Sequence, residues 1–133
     1  MQLITASNAP TAIGPYSHAV RSGNFLFCSG QIPIDPKTGK IEATDVEGQA
    51  RQVLKNIEAV LGSAGLSVHH VVKATMFLQD MADFPKVNPI YEAGFDGHKP
   101  ARSTIQVAKL PLGALVEIEV IAEFASKVVN RDE

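Results

Sequence analysis

Two stretches of the chain repeat apolar residues at the spacing of a helix, and the first of them begins after Asp45. Its three- and four-residue spacing predicts an amphipathic helix. Thr44 and Glu47 predict a capping box at its start, and Gly62 or Gly65 can end it in a left-handed conformation. The predicted buried face consists of Val46, Ala50, Val53, Leu54, Ile57, Leu61 and Ala64.

A second helix is predicted between residues 83 and 95, with Asp83 as its N-cap. Pro85 suits the first turn of this helix, whereas Pro89 removes a backbone donor and should kink or restart it. The apolar positions that indicate the helix are Phe84, Val87, Tyr91 and Phe95.

The remaining segments alternate in the manner of strands. Residues 5 to 15 predict an ordered loop that enters a strand near Tyr16, and a hairpin follows with Gly23 in its turn. A further turn is expected at 35–39. After the first helix, HHVVKATMFLQD predicts a strand, and ARSTIQVAKL and LVEIEVIAEF predict two more, separated by the turn 111–113. One face of HHVVKATMFLQD should meet the helix, namely His70, Val72, Ala74, Met76 and Leu78.

This order of elements predicts an α/β (α+β) fold with two helices on one face of a mixed sheet. Two helices, each ~10 Å wide, cover only one face of about six strands spaced ~4.8 Å apart. Phe25, Leu26 and Phe27 place apolar groups on both faces, and Ile121 also belongs to the uncovered face. Because association normally buries such a surface, we expect a homo-oligomer whose subunits meet through their sheets.

Composition narrows the class of protein. The 133 residues suit a single domain over 1–133, and 45% hydrophobic with 20% charged residues is typical of compact proteins. The formal charge of −2 and scattered basic residues argue against nucleic acid binding. No apolar run approaches the ~20 residues that span a bilayer. With one cysteine and no secretory pattern, a cytoplasmic location is expected.

Common cofactor and metal motifs are missing from the sequence. Neither GxxxxGK[ST] nor GxGxxG occurs, so no nucleotide cofactor is indicated. His69 and His70 are adjacent and would point to opposite faces of a strand, so we interpret them as ordinary histidines rather than metal ligands. Cys28 ends an apolar strand and is interpreted as a small buried residue, not a nucleophile.

Arg102 and Glu117 are the candidate reactive pair, although each has a simpler interpretation. Arg102 begins an alternating strand, and an arginine there is most often solvated. Glu117, Glu119 and Glu123 alternate with apolar residues, as on a sheet with one wet face. If the two strands were antiparallel neighbours, Arg102 and Glu117 would share a cleft able to hold an acidic small molecule and a water.

Four segments favour the functional interpretation of Arg102 and Glu117: IGPYSHAV (13–20), FCSGQIPIDPKTG (27–39), KVNPIYEAGF (86–95) and PARSTIQVAKLPLGALVEIE (100–119). Together they resemble the RidA (YjgF) family of reactive intermediate deaminases, in register from about residue 3 to 125. The resemblance implies a chorismate-mutase-like fold, assembled as a trimer with active sites between subunits. It implies hydrolysis of enamines and imines to 2-oxo acids and ammonia, as by a 2-iminobutanoate/2-iminopropanoate deaminase, without a cofactor.

The resemblance also assigns expected roles to individual residues. Arg102 matches the arginine that grips the substrate carboxylate, Glu117 the glutamate that activates water, and Tyr16 a tyrosine of the pocket. The other positions that match substrate-binding or interface residues are Ser29, Gly30, Gln31, Asn88, Tyr91 and Thr104.

Position 104 matches a family position, but its residue type departs from the family pattern, because several members carry a cysteine where this chain has Thr104. An imine is already electrophilic, so hydrolysis needs only a placed water and a fixed carboxylate. We therefore expect water attack without a covalent enzyme intermediate. The alternative is a non-catalytic protein of the same fold that binds small carboxylates and acts as a sensor. A ribonuclease activity is disfavoured by the charge balance.

Overall fold

The computed structural model describes residues 1–124 and contains eight strands and two α-helices in that part of the chain. The helices are α1 (Val46–Ser63) and α2 (Phe84–Gly94). The strands are β1 (Gln2–Ile4), β2 (Ala19–Ser22), β3 (Phe25–Cys28), β4 (Ile34–Asp35), β5 (Lys40–Ile41), β6 (Val71–Leu78), β7 (Ala101–Gln106) and β8 (Val116–Glu123). The predicted order of strands, helix, strand, helix, strands is confirmed. The short strands β1, β4 and β5 were not predicted.

Six strands form one mixed sheet in the order β1-β2-β3-β8-β6-β7. All neighbouring pairs are antiparallel except β6 and β7, which are parallel because α2 crosses over between them. β4 and β5 form a separate hairpin, whose turn has Gly39 at a positive φ of 72°. The predicted α+β class with a mixed sheet of six strands and two helices is therefore confirmed.

Helix α1 confirms the predicted periodicity but not the predicted capping box. Its N-cap is Asp45, one residue later than expected, and no side chain caps the first turn. Consequently Gly48, not Glu47, occupies the third helical position, and a capping box cannot form. At the other end Gly65 adopts a positive φ of 76°, and the Leu66 N–H donates to the Leu61 carbonyl, as in a Schellman motif.

Helix α2 continues through Pro89, which was expected to kink or restart it. Asp83 is the N-cap as predicted, although its side chain makes no capping hydrogen bond. A 3-10 turn, Met81–Asp83, precedes the helix. The Asp80 carboxylate caps this turn by accepting a hydrogen bond from the Ala82 N–H. The preceding turn therefore supports the start of α2 in place of the Asp83 side chain.

The start of β6 differs from the prediction because a 3-10 turn and a bulge precede the regular strand. His69 and His70 lie in that turn, and the ladder between β6 and β8 shifts register between Val71 and Lys73. Ala74, Met76 and Leu78 face the helices and are buried as expected. His70 and Val72 do not share that face, since the bulge changes the alternation.

One face of the sheet is covered and the other is open. The helix-facing residues of β6 and β8 pack under α1 and α2 into a single cluster of buried residues. The opposite face carries exposed large apolar side chains, as expected from the FLF segment: Leu3, Phe25, Phe27 and Ile105. Within residues 1–124 we find no helix with the length and apolarity needed to cross a membrane.

Candidate active site

Arg102 is held in a fixed orientation at the edge of the sheet. It lies in β7 opposite Ala74, on the side of the sheet covered by α2. One guanidinium N–H donates to the Asn88 side-chain oxygen at 2.8 Å. The guanidinium also lies over the rings of Tyr91, 4.7 Å from the centroid, and Phe84, 5.2 Å away. These contacts define its plane and leave most of its five N–H donors unused within the described chain.

An open cleft of about 370 Å³ borders this arginine. Among residues 1–124 no carboxylate forms an ion pair with Arg102. A partly buried guanidinium without an acidic partner has both the charge and the fork geometry to bind an external carboxylate. The cleft is lined by Asn88, Tyr91, Glu92, His98, Lys99, Pro100 and Arg102.

Tyr91 supports the arginine through its ring. Its hydroxyl oxygen is buried and has no hydrogen-bond partner in residues 1–124. Burial raises the pKa of this hydroxyl, although the positive charge of Arg102 acts in the opposite direction. Tyr91 therefore remains a neutral phenol beside the guanidinium.

Thr104 adds a backbone donor two residues along β7. The Val107 N–H donates to the Leu78 carbonyl in β6. Because backbone groups alternate along a strand, the amides of Ser103 and Ile105 also point to β6 and that of Thr104 points away. In the sheet formed by residues 1–124 β7 is the edge strand, so the Thr104 N–H points away from β6 at that edge, near Arg102.

Glu117 lines a different cleft, of about 340 Å³, at an irregularity between β3 and β8. Phe27 pairs with Ile121, and the next pairing joins Gln31 to Ile118, so three residues on one side oppose two on the other. This bulge brings Gly30 against the Glu117 carboxylate, where a Cβ at position 30 would overlap it. The cleft is lined by Ile13, Tyr16, Ser29, Gly30, Ile32, Pro111 and Glu117.

The environment of Glu117 favours its neutral form. Burial raises the pKa of its carboxyl group, and the nearby charge of Glu119 raises it further. A carboxylate with a raised pKa is a better proton acceptor than an ordinary glutamate. This property suits a residue that removes a proton from water.

Two residues expected in the wall of this cleft are already engaged within the chain. The Ser29 hydroxyl donates to the Ser17 carbonyl at 2.6 Å, so only its lone pairs can contact a ligand. The Gln31 backbone exchanges hydrogen bonds with Ile118. The Gly30 N–H has no hydrogen-bond partner in the described part of the chain, which leaves it free to donate into the cleft.

Tyr16 lies in the loop before β2 and not at the start of the strand, which begins only at Ala19. Its hydroxyl oxygen accepts a hydrogen bond from the Ile13 N–H at 3.3 Å. Since that bond uses an oxygen lone pair, the O–H proton of Tyr16 remains free to be donated. The ring is about half exposed beside Glu117.

Arg102 and Glu117 do not share a cleft within one chain, so the prediction of adjacent antiparallel strands was wrong. β6 lies between β7 and β8, with Arg102 opposite Ala74 and Glu117 opposite Phe77. Two strand spacings across the sheet and three residues along it separate the Cα atoms of Arg102 and Glu117 by about 14 Å. Moreover, Arg102 lies on the helix side of the sheet and Glu117 on the open side. Each chain therefore carries two separate candidate half-sites, one at Arg102 and one at Glu117.

Cys28 and the histidines were the other groups considered as a nucleophile or as metal ligands. Cys28 is partly buried against the core rather than fully buried as expected, and burial raises the pKa of its thiol to about 12. The His69 ring nitrogen lies 3.0 Å from the Asp96 carboxylate. Between residues 1 and 124 no three histidine, cysteine or acidic side chains are grouped so that they could hold a metal ion.

Comparison with known proteins places these residues in a wider context. The family model described as Endoribonuclease L-PSP matches residues 6–124. A RutC family protein of Pyrococcus horikoshii is 53% identical over 121 residues, which cover 91% of this chain and 96% of the relative. The 2-iminobutanoate/2-iminopropanoate deaminase of Escherichia coli K12 is 51% identical over 122 residues, 90% of this chain and 94% of that protein.

The solved structures agree in fold. The crystal structure of E. coli TdcF with bound serine superposes with a TM-score of 0.88 at 46% identity, and covers 92% of this chain and 98% of its own. RidA of an Antarctic Psychrobacter species gives a TM-score of 0.89 at 41% identity over 92% of this chain and 99% of its own.

Proposed function

Because the chain belongs to the RidA family, we propose that it hydrolyses reactive 2-enamine and 2-imine acids to 2-oxo acids and ammonia. The substrates are of the 2-aminoacrylate or 2-aminocrotonate type, which tautomerise to imines. The enzyme would be a 2-iminobutanoate/2-iminopropanoate deaminase, a hydrolase acting on C–N bonds. Relatives that are about 50% identical to this chain are named for this activity, which supports the reaction class.

The observation that carries the proposal is the oriented guanidinium of Arg102, which has no acidic partner among residues 1–124. A substrate of this class has about six non-hydrogen atoms, so its binding free energy is limited to ~9 kcal/mol at ~1.5 kcal/mol per atom. A charge-assisted hydrogen bond contributes about 1.5–3 kcal/mol, so a bidentate contact to the carboxylate supplies much of the total. Asn88 and Tyr91 hold the guanidinium for this contact, and the Thr104 N–H adds a further donor.

The chemical step assigned to the other half-site is attack by water. The Glu117 carboxylate accepts a proton from water as the water oxygen bonds to C2 of the imine. The imine nitrogen takes a proton from Tyr16 as water adds, which gives a carbinolamine. Glu117 then returns its proton to that nitrogen and ammonia leaves, while the hydroxyl proton passes back to Tyr16 and C2 becomes the carbonyl of the 2-oxo acid. Tyr16 has the free O–H to donate a proton during this sequence, and the Gly30 N–H can hold the water.

No covalent enzyme intermediate is needed in this scheme. Thr104 replaces a thiol found in several family members, and the Cys28 thiol is held protonated by burial. Isolation of an adduct on Thr104 or Cys28 during turnover would contradict water attack.

The separation of the half-sites supports an oligomer, which we propose to be a homotrimer. Glu117 lies on the open sheet face, whose exposed apolar residues are suited to contact another copy. Head-to-tail packing of three copies would place Arg102 of one chain opposite Glu117 of the next. Each active site would then draw on two subunits.

A coupled assay tests the function directly. Serine or threonine dehydratase generates the enamine, and ketoacid release is followed with purified wild-type protein, Arg102→Lys or Arg102→Ala. Wild type should accelerate release, Arg102→Lys should do so weakly because it lacks the bidentate fork, and Arg102→Ala should not. Equal acceleration by all three, or none by wild type, would refute the proposal.

The same preparations separate the alternatives. Binding of a 2-oxo acid without accelerated hydrolysis would favour a non-catalytic carboxylate sensor. A ribonuclease signal that disappears in Arg102→Ala would favour RNA cleavage, which the net charge of −2 and the scattered basic residues disfavour.

A further inference from the structure

The loop before β2 presents one large aliphatic side chain to the Glu117 cleft. Ile13 is 61% exposed and lines that cleft together with Ile32 and Pro111. These three residues form an aliphatic wall, whereas Ser29, Gly30 and Glu117 supply the polar side. The Arg102 half-site has no comparable aliphatic wall, since most of its lining is polar or charged.

The position of Ile13 is set by hydrogen bonds rather than by burial. Its own N–H donates to the Tyr16 hydroxyl, and the Tyr16 N–H donates to the Gly14 carbonyl. Further along, Ser29 anchors the loop through the Ser17 carbonyl. The aliphatic wall is therefore tied to the residues that perform the chemistry.

The buried His18 ring fixes the other end of the same loop. Its Nδ1 accepts from the Ala6 N–H at 2.8 Å, and its Nε2 donates to the Pro10 carbonyl at 2.7 Å. A ring that accepts at one nitrogen and donates at the other satisfies both backbone groups at once. The two bonds join positions 6 and 10 to the start of β2, so the segment that carries Ile13 is closed at both ends.

We propose, on the basis of the function proposed above, that Ile13 determines which substrate side chains the site accepts. With the carboxylate on Arg102 and C2 facing the water at Glu117, the imine nitrogen suits the polar side of the cleft and the apolar side chain suits the aliphatic wall. In this arrangement an ethyl side chain buries one more methylene group against Ile13 than a methyl side chain does, and a branched isobutyl side chain needs the space that Ile13 fills. Ile13 is thus a specificity-determining residue for uncharged aliphatic 2-imino acids.

The test compares three imines produced in the cuvette by an amino acid oxidase from alanine, 2-aminobutyrate and leucine. The values of kcat/KM are measured for wild type, Ile13→Ala and Met81→Ala, with semicarbazide capture of the imine as readout. Met81 is the control because it is an exposed apolar residue in the turn before α2, lies outside the sheet and lines neither cleft. Thermal unfolding and the elution volume of each variant show whether fold and assembly are retained.

In Ile13→Ala the preference for the ethyl over the methyl side chain should fall about fourfold, the factor associated with burial of one methylene group. The relative kcat/KM for the isobutyl imine should rise, and Met81→Ala should retain all three ratios. Unchanged ratios in Ile13→Ala, or an equal loss for all three imines, would overturn the role assigned to Ile13. The proposed function would still stand as long as the wild-type protein hydrolyses the imines. If wild type hydrolyses none of the imines, the proposed function itself fails.

Discussion

Glu117 and Glu119 project from the same face of β8, and their proximity determines how the candidate base responds to pH. Since the Glu117 carboxylate must be ionised to accept a proton, activity is lost as pH falls through its raised pKa. Removing the charge of Glu119 lowers that pKa, whereas the effect of burial remains. The Glu117 carboxyl group then stays ionised at a lower pH than in the wild-type protein.

Substitution of Glu119→Gln should therefore move the acidic limb of the kcat/KM profile to lower pH. Glu123→Gln is the control, because it removes a charge from the same strand at its far end, and its profile should match that of wild type. The profiles are measured in the coupled ketoacid assay with the dehydratase in excess at every pH. An unmoved limb in Glu119→Gln would show that another group titrates.

Cys28 should be dispensable for the reaction. With a pKa of about 12, only about one thiol in ten thousand is a thiolate at pH 8. The native protein should therefore react with a thiol reagent far more slowly than the urea-unfolded chain, and Cys28→Ala should retain most of the wild-type kcat. Loss of turnover in a folded Cys28→Ala protein would restore the cysteine as a candidate nucleophile.

At the scale of elements, the two glycines near the end of α1 have opposite roles. Gly65 adopts a positive φ that an alanine tolerates poorly, whereas Gly62 lies inside the helix with open space around its Cα. Gly65→Ala should lower the free energy of unfolding by about 1 kcal/mol, and Gly62→Ala should raise it by about 0.5–1 kcal/mol. Urea titrations at one protein concentration measure both, and equal effects of the two changes would contradict this account of the helix end.

The elements also show where periodicity fails as a predictor. The repeat in α1 is long enough to specify its buried face, and Gly23 and Gly39 mark turns that the structure confirms. In contrast, the bulge after Val71 removed His70 and Val72 from the buried face predicted for β6, and α2 continues through Pro89. A single-residue irregularity reverses alternation in a strand without altering composition, so the sequence pattern does not reveal it.

At the scale of the whole molecule, the separation of Arg102 and Glu117 leads to a complementation experiment. Arg102→Ala and Glu117→Gln should each reduce kcat/KM by at least ~100-fold, the usual effect of losing a catalytic base or a substrate anchor. If each site uses Arg102 of one chain and Glu117 of another, chains refolded together at equal amounts should recover about one quarter of wild-type activity, because one site in four has both residues.

The control for this experiment is simple mixing of the two folded variants without unfolding, which should remain inactive if subunits do not exchange. A second control refolds Arg102→Ala with the double variant Arg102→Ala/Glu117→Gln, a mixture that contains no intact arginine. Failure of the refolded Arg102→Ala and Glu117→Gln mixture to regain activity, with sedimentation showing that mixed oligomers had formed, would place the whole site within one chain.

The class of fold, the faces of α1 and the residues that resemble a carboxylate anchor and a base could all be predicted without a structure. They could be predicted because helical periodicity, turn glycines and the PARS and EIE segments are local signals. Three-dimensional contacts were needed to show that β6 lies between β7 and β8, that Arg102 and Glu117 occupy opposite faces, and that Ile13 and Tyr16 join Glu117 in one cleft. Strand order and loop closure depend on contacts between distant segments, and those contacts have no signature in the spacing of neighbouring residues.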